Sequence, residues 1–183
     1  MSGNQSIWEK APKGLYIGFA SFDDGQIGQM SDPSTHFDTA YDAYVDMDDD
    51  QSIIVFHITH AEGELTLKDV TDQMHHRLMQ ICDDRRLEEP EPRDRLVPPD
   101  EFFCEVALWT DGGFGTRMEF SDLADLMDNV SLAERGWADF ADMPQNRGLI
   151  STYLRFSKDE GGYRVNEISD IHAYLLDEPE VSL

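Results

Sequence analysis

Three short apolar runs constrain the fold of this chain more than any other feature. Residues 15–22 (LYIGFASF) alternate in polarity, residues 52–59 (SIIVFHIT) are rich in β-branched side chains, and residues 102–110 (FFCEVALWT) form a third run. Runs of this length and composition are typical of β-strands, and Asp-Gly turn signals follow two of them. Residues 149–156 and 163–168 further predict a hairpin across 159–162, with a turn longer than the two-residue type.

Segments with helical periodicity separate these runs. Apolar residues at helical spacing predict a helix from Ser34-Thr35 to Met47, a second from Thr66 to about Cys82, and two more over 121–130 and 131–143. The second has the strongest start signal, because Thr66 and Asp69 fit a capping box. Ser131 and Glu134 fit another, and 170–176 forms a short terminal element.

This order of elements predicts an α+β fold, with a mixed or mainly antiparallel sheet and helices packed on one side. We expect a single α+β domain over residues 1–183. Within it, two similar halves, 1–82 and 101–183, are an alternative, joined by an exposed Pro-rich charged loop at 83–100. Residues 19–28 (FASFDDGQIG) resemble 106–115 (VALWTDGGFG). That similarity fits an ancient duplication, or merely two copies of a common strand–turn–helix unit.

An excess of acid limits the partners of this chain. The sequence holds 38 Asp plus Glu against 14 Lys plus Arg, a formal net charge of -24. Such a chain repels nucleic acid and anionic membranes and attracts basic surfaces. With no apolar run near the ~18 residues of a membrane span, no signal-peptide pattern and only two cysteines, we expect a cytoplasmic protein.

Matches to catalytic and metal-binding motifs are incomplete. His60-Ala61-Glu62 lacks the Pro-Cys-x-x-Cys pair of a zinc deaminase, and His57-Ile58-Thr59 lacks the second His-x-Thr of a two-histidine phosphoesterase. Asp46–Asp50 opens like a calcium loop but lacks its glycine and final glutamate. We therefore expect no catalytic residue, no metal site and no cofactor.

Aspartates recur in rows on the predicted helices. One row has a spacing of four residues and another a spacing of three, which places carboxylates about 5–6 Å apart on a helix surface. Like charges at this spacing oppose helix formation by roughly 0.2–0.5 kcal/mol per pair. The residues that we expect to bind a partner are Asp38, Asp42, Asp46, Asp49, Asp50, Asp122, Asp125 and Asp128.

These rows suggest a non-enzymatic interaction or inhibitor protein that mimics nucleic acid. It would occupy the basic surface of a nucleic-acid-processing or defence complex without binding nucleic acid or membrane itself. One alternative is an acidic domain adapted to salt or acting as an accessory, with no mimicry. Another is a small hydrolase-type enzyme with its site near His57 and His60, where Asp111 also ends a predicted strand. The oligomeric state is left open.

Overall fold

The computed structural model describes residues 14–21, 27–29, 34–48, 51–61, 64–88, 91, 94–108 and 114–177. Eight strands and four α-helices are found in this part of the chain. In order they are β1 (Tyr16–Ser21), β2 (Ile27–Gln29), α1 (Phe37–Asp46), β3 (Ile53–Ala61), β4 (Glu64–Asp69), α2 (Thr71–Arg85), β5 (Glu101–Leu108), β6 (Phe114–Phe120), α3 (Leu123–Ala141), β7 (Ile150–Asp159), β8 (Gly162–Ile168) and α4 (Ile171–Asp177). A short 3-10 helix, Pro144–Asn146, lies between α3 and β7.

The chain divides into two compact units. The first comprises the described residues of Lys13–Pro98 together with Asp159–Arg164, and the second those of Pro99–Lys158 and Val165–Leu183. In the first unit the strand order is β2-β1-β3-β4, followed by the start of β8, where Leu67 lies opposite Tyr163. Every pairing between named strands of this unit is antiparallel.

Helices α1 and α2 share one core cluster with the first-unit strands. Its buried members are Ala20, Ala40, Tyr44, Ile53, Val55, Val70 and Met74. Ala40 and Tyr44 are one turn apart, so they lie on the same face of α1 and hold that face against the strands. A hydrogen bond from Val55 N to Thr71 Oγ1 (2.9 Å) ties the first residue of α2 to strand β3.

The second unit repeats this pattern. Its strand order is β6-β5-β7-β8, and β5 pairs antiparallel with both β6 and β7. Its core cluster joins strand residues to α3 and α4 and contains Phe103, Phe120, Leu126, Val130, Ala133, Tyr153, Ile168 and Ile171. Leu126 and Val130 are the fourth and eighth residues of α3, as Ala40 and Tyr44 are of α1.

Both units therefore follow the chain order ββαββα with the same neighbour relations among their strands. The two similar sequence segments, 19–28 and 106–115, start at corresponding strands, β1 and β5. The expected α+β content and antiparallel pairing are confirmed. That all helices lie on one side of one sheet stays a prediction, as does the single-domain organisation.

Several predicted boundaries are wrong. Thr66 does not begin a helix but lies within β4, and α2 begins at Thr71, where Asp69 Oδ1 accepts hydrogen bonds from Thr71 N and Oγ1. Ser131 does not start a new helix, because α3 continues through it. The β7–β8 turn is the two-residue type, with Gly161 at φ +76°.

Most of the described residues of the Pro-rich connection are exposed, but residues 95 and 96 contact other parts of the first unit. Arg95 forms an isolated parallel bridge with Ile53, and Leu96 is buried. The Arg95 guanidinium forms ion pairs with Asp69 and Asp72, so this part of the connection is fixed onto the start of α2.

Candidate functional site

The predicted acidic row on α1 is present at the protein surface. Asp38, Asp42 and Asp46 are all exposed, whereas the core residues of the same helix lie on its other face. The structure thus places three of the eight predicted partner-binding carboxylates together. Asp49 and Asp50 lie outside the described residues.

A groove beside this row holds both signs of charge. It has a volume of about 320 Å³ and is lined by Asp38, Tyr41, Asp42, Arg77, Ile81 and Arg85. Burial raises the pKa of the Tyr41 phenol, and the neighbouring Cys82 and Asp42 add to the rise while Arg77 and Arg85 oppose it. The two arginines reduce the negative potential of the row at Asp38 and Asp42, whereas Asp46 does not line the groove.

The second row is divided between two roles. Asp122 is the N-cap of α3, and its Oδ1 accepts a hydrogen bond from Asp125 N (2.8 Å). Asp125 in turn accepts from Ser121 N (2.8 Å) and from Asn129 Nδ2 (2.7 Å). These two carboxylates stabilise the helix start, because they satisfy free amides and face the positive end of the helix dipole. Asp128 is exposed and has no such bond among the described residues.

The alternative site near His57 gains no carboxylate partner from the described residues. The imidazole of His57 is half-buried and stacks on Tyr16, with ring centroids 4.5 Å apart. None of the described hydrogen bonds or ion pairs joins it to a carboxylate. The side chain of His60, and Asp111, lie outside the described residues.

Glu105, which is not among the site residues predicted from the sequence, lies in an unusual chemical environment for a carboxylate. Glu105 lies on β5 directly opposite Tyr153 of β7, and the pairing of β5 with β6 shifts register between Glu105 and Val106. Such bulges redirect side chains and occur often beside functional sites. The carboxylate in an otherwise apolar strand, FFCEVAL, is the sequence signal that could have identified it.

The Glu105 carboxyl group is buried and incompletely paired. Its side chain is only 2% exposed, and Oε1 lies 3.5 Å from Arg117 Nη1. Neither Glu105 Oε2 nor Tyr153 Oη has a hydrogen-bond partner among the described residues. Unsatisfied buried polar atoms are uncommon in folded proteins, since each costs about 1–3 kcal/mol, and they often mark sites that hold water or a ligand.

Burial changes the acidity of both groups. It raises the pKa of Glu105 to about 7, with Arg117 opposing the rise and Glu134 adding to it. Burial also raises the pKa of the Tyr153 phenol, and the Glu105 carboxyl adds to that shift. Glu105 can therefore gain or lose a proton near neutral pH, which is the range in which acids and bases of functional sites titrate.

Aromatic rings of α3 hold Arg117 in place beside Glu105. The guanidinium carbon lies 5.2 Å from the Trp137 ring centroid and 4.9 Å from that of Phe140. Gly136 lets the helix pass this close, because a Cβ atom there would lie 3.2 Å from Arg117 Nη2. Cation–π contacts of this kind stabilise a partly buried guanidinium without consuming its hydrogen-bond donors.

A cavity opens over these groups within the second unit. It has a volume of about 320 Å³ and is lined by Glu105, Glu134, Trp137, Ser151 and Tyr153. Glu134 Oε1 lies 2.7 Å from His172 Nε2, which orients this second carboxylate. The volume falls at the lower end of the range for small-molecule sites.

Three further findings bear on function. Among the described residues, no three His, Cys, Asp or Glu side chains are grouped as metal ligands would be. Both cysteines, Cys82 and Cys104, are buried and free. None of the described helices has the length and apolar character needed to cross a membrane.

Comparisons with known protein families, with curated proteins and with solved structures found no match to this chain.

Proposed function

We propose that this protein is a non-enzymatic, acidic interaction protein that binds the basic surface of another protein. The observation that supports this most is that the α1 carboxylates are exposed and have no ion-pair partner among the described residues. Asp38, Asp42 and Asp46 are exposed on one helix face, and none of them takes part in an ion pair among the described residues. Asp128 of α3 is in the same state.

Other carboxylates of the chain are used inside the molecule. Asp69 and Asp72 pair with Arg95, and Glu64 and Asp159 pair with Arg164. The α1 row and Asp128 therefore remain free to attract a basic partner, which favours rapid and salt-sensitive association.

The partner that we propose is a nucleic-acid-binding protein, and the mode is mimicry. Carboxylates one helical turn apart, about 5–6 Å, form a regular line of negative charge, as phosphates do along a nucleic-acid strand. A protein with this line would inhibit a nucleic-acid-processing or defence complex by occupying its basic groove. The contact residues that we propose include four exposed carboxylates among the described residues, Asp38, Asp42, Asp46 and Asp128. They also include Asp49 and Asp50, which lie outside the described residues. Asp122 and Asp125 have their helix-capping role in addition.

A reducing compartment suits the two free, buried thiols, and we propose on that ground that the protein is cytoplasmic.

The competing explanation of the charge is salt adaptation, in which carboxylates serve solubility alone. That explanation predicts a steep rise of melting temperature from 0.1 M to molar salt and no dependence of partner capture on the α1 row.

Capture from a lysate of the source organism at 0.15 M salt tests the proposal. The bait is the wild-type protein and the triple variant Asp38→Asn, Asp42→Asn, Asp46→Asn. The matched control removes the same charge at exposed positions outside the row, with Glu91→Gln, Glu160→Gln and Asp177→Asn. We expect a basic protein that the wild type and the control retain and that the row variant loses.

Displacement then tests mimicry. Labelled duplex DNA bound to the captured protein should be released by the wild type and by the control, and far less by the row variant. If the row variant and the control lose the captured protein to the same extent, net charge and not the row causes binding. If both retain it as the wild type does, the row is not needed for binding. Either result would show that the proposal is wrong.

A further inference from the structure

The cavity over Glu105 has features that the binding of a basic protein at α1 does not use. It lies in the second unit, and two of its lining side chains, Glu105 and Tyr153, are more than nine-tenths buried. Each carries an oxygen without a hydrogen-bond partner among the described residues. Because the two residues lie opposite each other in the β5–β7 register, their side chains extend from the same face of these strands, and both line the cavity.

The charge of the cavity favours a cation. Two of its five lining residues are carboxylic acids, Glu105 and Glu134. Arg117 Nη1 lies 3.5 Å from Glu105 Oε1, whereas Oε2 has no hydrogen-bond partner among the described residues, and the Arg117 guanidinium is held against Trp137 and Phe140. An ammonium or guanidinium group would supply the missing donor to Oε2, whereas an anion would face both carboxylates.

The remaining lining fits a short organic body. Trp137 offers an apolar surface, and Ser151 and Tyr153 offer hydroxyl groups. Alkyl chains with a charged end are bound in this manner, with the chain on an aromatic ring and the charge on a carboxylate.

We propose that this cavity is a binding site for a small organic cation, an alkylammonium or alkylguanidinium, which donates hydrogen bonds to Glu105 Oε2 and contacts Tyr153 Oη. Glu134, oriented by His172, contributes a second negative charge to the site. The site is independent of the α1 row, so each proposal can fail without the other.

Calorimetric titration of the full chain in 0.15 M NaCl tests this inference. The probes are 1,4-diaminobutane and methylguanidine as cations, 1,4-butanediol as the neutral analogue, and succinate as the anion. Tryptophan fluorescence provides a second readout, since Trp137, one of the three tryptophans, lines the cavity. We expect saturable binding of at least one cation and no binding of the diol or of succinate.

Two conservative variants locate the bound cation. Glu105→Gln keeps the shape of the side chain but removes the charge, and it should weaken binding about 10- to 100-fold. Tyr153→Phe removes only the hydroxyl group and should weaken binding about 2- to 10-fold. Glu119→Gln is the control, because this β6 carboxylate accepts from Thr116 Oγ1 and does not line the cavity.

Three results would overturn the proposal. If no cation binds, water alone satisfies Glu105 and Tyr153. If the diol binds as tightly as the diamine, the site does not select charge. If cation binding is the same in Glu105→Gln, Tyr153→Phe and Glu119→Gln, the cation binds the acidic surface elsewhere.

Discussion

Glu105 and Tyr153 face each other across neighbouring strands β5 and β7, and each has a buried side-chain oxygen that no described residue hydrogen-bonds. The pair sits beside the core cluster of the second unit, of which Tyr153 is itself a member. Its burial lowers the stability of the ionised carboxylate and produces a site with a titration near neutral pH.

This titration predicts how stability depends on pH. The pKa of Glu105 is raised to about 7 in the folded protein from 4.5 for the free side chain, so the folded state holds the proton more tightly. The contribution of Glu105 to folding stability therefore falls as pH rises from about 4.5 to about 7 and levels off above that range. Denaturant unfolding of the wild type and of Glu105→Gln at pH 5 and pH 8 measures the effect. The free energy of unfolding of Glu105→Gln, relative to that of the wild type, should increase by about 2–4 kcal/mol from pH 5 to pH 8. A pH-independent difference would contradict it.

Arg117 should stabilise the ionised form of Glu105. Its removal in Arg117→Met should destabilise the protein more at pH 8 than at pH 5, because only the carboxylate needs a neighbouring cation. In a double-mutant cycle with Glu105→Gln at pH 8, we expect a coupling of about 1–3 kcal/mol. Arg135→Met on α3, an exposed arginine that donates to Ser131 O, serves as the control and should show no coupling. Additive losses at pH 8 would mean that the 3.5 Å contact has no electrostatic role.

The two roles of aspartate on α3 can be separated by melting experiments. Asp122→Ala removes the N-cap and should cost about 0.5–2 kcal/mol. Asp128→Ala, on the same helix, removes an exposed carboxylate with no described partner and should change stability by less than about 0.5 kcal/mol. Equal losses in the two variants would show that Asp122 does not cap the helix.

Gly162 is fixed by the approach of another strand. A Cβ atom there would lie 1.7 Å from the Leu67 carbonyl oxygen, so Gly162→Ala should separate β8 from β4 and cost more than about 2 kcal/mol. Gly161→Ala introduces only the strain of φ +76° in an open turn, and we expect a loss of about 1 kcal/mol. Thermal unfolding of both variants tests this order, and a milder effect at Gly162 than at Gly161 would reverse it.

The sequence predicted the elements whose local pattern agrees with their final structure. Strands β1, β3 and β5 were found because their β-branched and aromatic residues suit a pleated, buried surface. At β4 the local signals conflicted: Thr66 and Asp69 resemble a capping box, yet the strand continues to Asp69. The predicted cap is absent: Val70 is the N-cap of α2 and has no side-chain cap, and Asp69 instead accepts hydrogen bonds from Thr71 N and Oγ1. Pairing with β3 and β8 decides this boundary, and that pairing is not a local property.

The candidate site depended even more on contacts distant in sequence. The carboxylate rows are local patterns and could be read directly, including their exposure on α1. Glu105 gained its character from Tyr153, Arg117 and α3, which lie 12 to 48 residues away along the chain. Only the register of three strands and the register shift between Glu105 and Val106, which leaves Arg117 of β6 without a pairing partner, bring these groups together.

The α1 row is the central feature of the functional account, and association kinetics test it most directly. The protein captured in the pull-down would be immobilised, and binding of the wild type, the row variant and the equal-charge control followed from 0.05 to 0.2 M salt. We predict that the wild-type association rate falls about tenfold or more over this range, and that the row variant associates slowly with a much weaker salt dependence. Association of the row variant at the rate of the control would contradict the account.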